Sequence, residues 1–281
     1  MKPGDVLSRK LAWMRPSGPL VAVLRFDGVI GARARRGVSL RRFAAAIERA
    51  FGLRHLAAVA LVINSPGGAP AQTQLLYRRI RQLADERAVP VFAFAEDVVA
   101  SGGYWLALAA DEIYAEETTL VGSIGVVSAG FGFAQLLGRF GIERRLHTAG
   151  ADKSLLDPFL PEEPRDVARL AGLQRDLHDS FKAMVRARRG TKLKGEDATL
   201  MSGEVFAGRQ ALALGLIDGI GDVRGILRER FGATLRLRPV EPARRRFGLS
   251  FLWRRRPDIG DLAADLAARL EERLIWARFG L

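Results

Sequence analysis

Two glycine-rich turns end apolar runs in this sequence, and both could bring chemistry to the end of a strand: residues 63–68 (INSPGG) and 100–105 (ASGGYW). In α/β sheets, ligands gather where strands give way to such turns. If the two strands are neighbours, the turns face each other. Gly67 and Gly68 would let backbone N–H groups approach a ligand that any Cβ would block. The N–H of Gly102 would sit at a helix start, where donors lack intrahelical partners. Donors so placed suit the oxyanion of a tetrahedral intermediate, each typically worth about 2.7–4 kcal/mol of barrier. Ser101 would then be the nucleophile. Taken alone, each pattern is weak, and the same residues read more readily as a turn with helix entry and a helix N-cap.

A nucleophilic serine needs a base. Only His55, His147 and His178 offer an imidazole; none lies in a recognisable motif, and each reads as structural. Lysine is the other choice, and the chain has 6 lysines against 38 arginines. Lys2 and Lys10 fall in an N-terminal arm, Lys182 on a helix, and Lys192 and Lys194 in a charged loop. Lys153, in TAGADKSLLDPF, stands apart in a loop between a strand and a proline. An amine can lose its proton where a guanidinium cannot. Half-neutrality near pH 7 requires a drop of roughly 3 units from about 10.4, or about 4 kcal/mol. Burial among apolar groups would supply it; from the residues alone a solvated loop lysine is the favoured reading. With no cysteine, thiolate chemistry, disulfides and Cys-based metal sites are excluded. Neither a ligand cluster nor a phosphate loop with its lysine is visible, so no metal or nucleotide cofactor is expected.

The elements that would position these residues alternate. Residues 20–26 read as a strand closed by Asp27-Gly28, and 39–51 as a helix with Ser39 at its N-cap. Strand 57–64, helix 71–86, strand 89–96 and the helix after Ser101 follow. That rhythm predicts an α/β fold with parallel pairing and crossover helices. Further on come a short strand at DEIYAE, a helix near 134–140, a strand at 143–150 and a helix at about 202–214. The strongest helical pattern spans 165–189, with Val167, Leu170, Leu173, Leu177, Phe181, Met184 and Val185 on one face and Gly190 as its stop.

INSPGG, ASGGYW with the AAD.IYA that follows, TLVGSIGVV, LHTAGADK and GLIDGIGD stand in one order between about residues 20 and 223. In that order the chain resembles the signal peptide peptidase family of serine proteases (SppA/SohB type), within the Clp-protease/crotonase fold group. The resemblance implies a Clp/crotonase-like fold of repeated β-β-α units and a Ser-Lys dyad. By motif position Ser101 would be the nucleophile and Lys153 the general base. Ser123 of GSIG would orient the lysine, and Gly68 and Gly102 would be the oxyanion donors, with Gly67 shaping the loop. It also implies ring-like homo-oligomers with active sites near subunit interfaces, and substrates that are apolar or unfolded peptides such as signal-peptide remnants. The chain departs from the family in lacking the N-terminal membrane anchor of many members, and in carrying Ala151-Asp152 where relatives often have a bulkier aromatic before the lysine. A crotonase-like acyl-CoA enzyme and an inactive peptide-binding scaffold are the alternative functions.

The net charge of +13 first suggests nucleic acid, but its distribution argues against that partner. Residues 1–50 hold 11 Lys/Arg against 3 Asp/Glu and residues 224–281 hold 14 against 7, leaving the middle nearly neutral. Basic ends suit an anionic membrane surface. Phe247, Phe251 and Trp253 beside Arg254–Arg256 fit an interfacial anchor. Leu262, Leu266, Leu270 and Leu274 predict an amphipathic C-terminal helix, and docking of that helix on its own domain or on another subunit is the favoured reading of the segment over a membrane anchor. Neither a signal peptide nor an apolar run of about 18 residues is present, so the expected location is cytoplasmic, peripheral to a membrane. The expected organisation is a basic arm (1–19), a peptidase domain (20–238), and a basic aromatic linker with its helix (239–281).

Overall fold

The computed structural model describes residues 18–31, 37–150, 152–242, 270 and 272–281. Strands β1 (Leu20–Asp27), β2 (Leu56–Ser65) and β3 (Val91–Ala100) alternate with helices α1 (Leu40–Phe51) and α2 (Pro70–Arg87). Then come α3 (Gly102–Ala107), β4 (Glu112–Ala115), β5 (Leu120–Gly122), α4 (Ala134–Arg139) and α5 (Pro164–Arg189). The chain continues through α6 (Asp197–Leu200), β6 (Val205–Ala207), α7 (Gly208–Ala213), β7 (Gly219–Ile220), α8 (Val223–Phe231) and β8 (Arg236–Pro239). The sheet runs β6-β5-β3-β2-β1-β8, with β4 paired to β3 and β7. All pairings are parallel except β5 with β6. The fold is α/β, as the alternation predicts.

Strands β1–β3 read as near-continuous apolar runs because they are covered on both faces. On one face Leu24, Leu61, Ile63 and Ala93 meet Ile47 of α1, Leu76 and Ile80 of α2, and Tyr104 and Leu106 of α3. On the other, Ala58, Ala60, Phe92 and Phe94 meet Leu227 of α8. A large aliphatic or aromatic side chain fully buried in this way contributes about 1.5–3 kcal/mol.

Strand β3 is shared between two partners. Its first half, Phe92 to Ala95, pairs with β4, and its last three residues, Val98 to Ala100, pair with β5. Its register against β2 also shifts, between Ile63 and Ser65. The side chain of Asn64 fills that gap: its Nδ2 donates to Asp97 at 2.9 Å, and its Oδ1 accepts the Val98 N–H at 3.1 Å. The amide therefore satisfies backbone that a regular ladder would have paired.

Three sequence expectations are corrected. Residues 143–148 form no strand; they run over the surface, with Arg144 and Arg145 paired to Asp157 and Glu143. The helix expected over 202–214 starts only at Gly208, because Phe206 is drawn into β6 opposite Val121. The apolar face of α5 is divided. Phe181 and Val185 are buried, whereas Val167, Leu173 and Leu177 remain exposed. At the chain's end residues 272–277 are helical and Leu270 and Leu274 are exposed; Leu262, Leu266 and the aromatic-arginine stretch lie outside the described residues. Among the described residues no helix is long and apolar enough to cross a membrane.

The buried end of α5 is anchored to the sheet. Phe181 stacks on Trp105 of α3, centroids 4.7 Å apart, and Arg188 donates to the carbonyls of Leu108 and Ala110. Arg189 is buried and donates to the Gly215 carbonyl and, at 2.7 Å, to Asp218. Lys192 and the Ile113 N–H also donate to Asp218. Burial alone would raise that carboxyl, but these hydrogen bonds outweigh it and hold it below the ordinary aspartate range. Asp218→Asn leaves Arg189 buried without its counter-charge and is expected to destabilise the protein by about 3 kcal/mol at pH 7, measured by urea unfolding. A depressed carboxyl stabilises above its unfolded pKa and loses that effect as pH falls through the folded value. The gap between wild type and variant should therefore begin to narrow only below about pH 4 and close as pH falls through the lower folded value. A gap unchanged by pH would locate the effect outside the charge pair.

Candidate active site

The two turns meet. Gly67 and Gly68 have φ of +104° and +141°, a region that favours glycine. A Cβ on Gly67 would lie 2.7 Å from Cβ of Ser101 and 2.8 Å from the Gly102 nitrogen. A Cβ on Gly68 would collide with the Ile30 carbonyl oxygen at 2.0 Å. The glycines are thus needed first for protein to approach protein. The turn is tied down on its outer side, where the Ile30 N–H donates to Gly67 O and the Ala69 N–H to Ile30 O.

A Cβ on Gly102 would stand 3.3 Å from the Gly68 nitrogen, so the two amides lie side by side. Neither N–H donates to a loop, turn or cap acceptor among the described residues. Thr73 of α2 packs behind Gly102, its Oγ1 at 2.8 Å from the same imagined Cβ, while its hydroxyl donates to Ala69 O. Gly103 lies so close to Ser65 that a Cβ would meet its carbonyl oxygen at 2.5 Å. Tyr104 then fixes α3 from below by donating to Leu216 O at 2.7 Å, its phenol pushed up in pKa by burial and so kept as a donor.

Ser101 joins β3 to α3 with φ +52° and ψ −122°, a strained backbone for a residue with a Cβ. Its N–H donates to Gly122 O at 2.8 Å and its carbonyl accepts from Trp105. Its hydroxyl makes no capping bond, and among the described residues it has no partner. The N-cap reading therefore fails at the side chain. Ser39 likewise precedes its helix without a side-chain cap bond.

Ser123 is the next residue along the neighbouring strand, since Ala100 pairs with Gly122. It too has positive φ, +51°, and its N–H donates to Glu204 O at 2.6 Å. The structure thus brings Gly67, Gly68, Ser101, Gly102 and Ser123 together. It does not bring Lys153 into contact with Ser101. Lys153 is exposed in a turn over residues 152–156, where its N–H donates to Gly150 O, and its ammonium makes no side-chain bond among the described residues. The apolar burial expected of it is not supplied within one chain. The loop is held by polar tethers instead. Asp152 pairs with Arg169 at 2.6 Å and with Arg165 at 2.9 Å, and the Leu156 N–H donates to Asp166. The bond from Arg169 leads in holding the Asp152 carboxyl below its usual range.

Of the histidines, His55 and His147 are exposed and His178 is bonded to a backbone carbonyl. The sequence reading did not single out Asn64, Thr73 or the contact of His178. Asn64 had a signal, since it is the polar residue directly before SPGG at a strand end. A cleft of about 710 Å³ runs along β3 on the α8 side, lined by Phe94, Asp97, Leu120, Val223, Phe279 and Leu281.

Residues 84–230 match the model of peptidase family S49. The Na(+)/H(+) antiporter NhaA of Brucella abortus is 47% identical over 277 residues, covering 93% of this chain and 37% of that protein. The chain thus spans little more than a third of that relative's length. The chloroplastic serine protease SPPA of Arabidopsis thaliana is 37% identical over 57% of this chain and 23% of its own length. Among solved structures, a lysine-to-alanine mutant of the 1510-N membrane-bound stomatin-specific protease, in complex with a substrate peptide, superposes with a TM-score of 0.51 at 16% identity. That match covers 84% of this chain and 98% of the other and is a likeness of fold. With more than half its length matched, this chain belongs to peptidase family S49.

Proposed function

We propose that this chain is a serine endopeptidase that hydrolyses apolar or unfolded peptides through Ser101 and Lys153. The observation that carries the reading is the strained, unpartnered Ser101 beside two free amides, those of Gly68 and Gly102. In this mechanism neutral Lys153 takes the Ser101 proton as the hydroxyl oxygen attacks the peptide carbonyl. The tetrahedral oxyanion forms toward the two N–H groups. The amine leaving group takes the proton from the lysine, leaving an acyl-enzyme. Water, deprotonated by the same lysine, then releases the acid product. Ser123 orients the lysine amine. Comparing peptide hydrolysis by wild type, Ser101→Ala and Lys153→Ala tests the dyad. Each variant is expected to lose at least about a thousandfold in kcat. Wild-type rates in both would overturn the dyad, and no peptide hydrolysis by the wild type would leave an acyl-CoA enzyme or a peptide-binding scaffold.

We further propose that a second copy of the chain completes the site. Among the described residues the exposed large apolar side chains concentrate between Val127 and Leu177, on the same excursion as Lys153. Phe131 and Phe140 are 79% and 73% exposed. A patch of that kind marks an interface, and covering it would withdraw the lysine of the same excursion from water, which favours the neutral amine. Phe131→Asp with Phe140→Asp is expected to reduce the mass seen by light scattering and to lower activity in parallel. A monomeric, fully active wild type would refute this reading.

The basic ends and the likeness to an antiporter support a place at an anionic membrane surface. Co-sedimentation with phosphatidylglycerol vesicles should weaken with salt. Binding unchanged on removal of residues 247–281 would rule those residues out as the anchor.

A further inference from the structure

We infer that His178 is a positioning residue for the Ser123 loop, an inference that rests on the Ser101–Lys153 reading. Residues 122–125 are held from three sides. Gly122 O accepts the Ser101 N–H, the Ser123 N–H reaches across to Glu204 O, and Ile124 O faces α5, where His178 Nε2 lies 3.1 Å away. A carbonyl can only accept, so Nε2 carries the proton and donates. Within the loop the Gly125 N–H folds back on Ser123 O at 2.9 Å, and Ser123 sits at φ +51°. Such a conformation persists only where its surroundings over-determine it. Glu204 supplies one such restraint and His178 the opposing one.

The choice of helix matters as much as the bond. Positions three apart share a helix face, and three residues beyond His178 lies Phe181, stacked on Trp105 of α3. The first residue of α3 directly follows Ser101. One face of α5 therefore grips both the nucleophile's helix and the Ser123 loop. At its other end α5 carries Arg165, Asp166 and Arg169, the tethers of the lysine loop. A helix of 26 residues thus spans from base to nucleophile, and His178 is its hydrogen bond to the loop of the serine that orients the base.

His178→Phe keeps a planar ring and removes the donor, and His178→Gln restores an N–H at the place of Nε2. In the full-length protein, His178→Phe is expected to lower kcat about tenfold, about 1.4 kcal/mol of barrier. KM should change less than about twofold, because the loop acts on proton transfer rather than on peptide binding. His178→Gln should recover most of the loss. His178→Leu serves as the same test should the phenyl ring not be accommodated. Wild-type kcat in the donor-less variants, or equal loss in these and the glutamine variant, overturns the inference. Should Ser101→Ala retain wild-type activity, the dyad itself fails, a result distinct from a failure of His178 alone.

Discussion

Ser101 can stand where it does only because Gly67 carries no side chain. Two turns from separate strands are pressed together until backbone touches backbone, and every other feature of the site follows from that contact. It sets the Gly68 and Gly102 amides side by side, and it holds Ser101 in a conformation its own side chain disfavours. The contact is braced from behind by Thr73, by the close approach of Gly103 to Ser65 and by the Tyr104 hydroxyl. None of these residues needs to touch a substrate. Their task is to stop the two turns from relaxing apart.

The lysine side of the site is built on another principle. Where Ser101 is packed, the loop of Lys153 is strung on ion pairs at the surface, with Asp152 between Arg165 and Arg169. Exposed pairs of this kind contribute little to stability and hold geometry loosely.

The glycine turns, the serine between strand and helix and the alternating elements could all be read along the chain, because each is a local pattern. What could not be read depended on distant partners. Residues 143–148 read as a strand, yet among the described residues no neighbouring strand receives them. Phe206 leaves a helical pattern because Val121 offers a place in the sheet. The α5 stripe reads as one continuous face, but Phe181 finds Trp105 while Leu173 and Leu177 stay exposed. Asn64 is one polar letter in INSPGG; its role emerges only when Asp97 and Val98, more than thirty residues on, are seen beside it.

Strand β3 binds one neighbour with its first half and another with its last three residues, and it ends at Ala100, directly before Ser101. It therefore works as a ruler with both ends clamped. Inserting or deleting a single residue between Ala95 and Val98 would turn every later side chain to the opposite face. Ser101 would then point away from the amides of Gly68 and Gly102 without any site residue having been replaced. The spacing from Phe92 to Ser101 is thus as much a part of the site as the serine itself, and this stretch should tolerate changes of letter far better than changes of length.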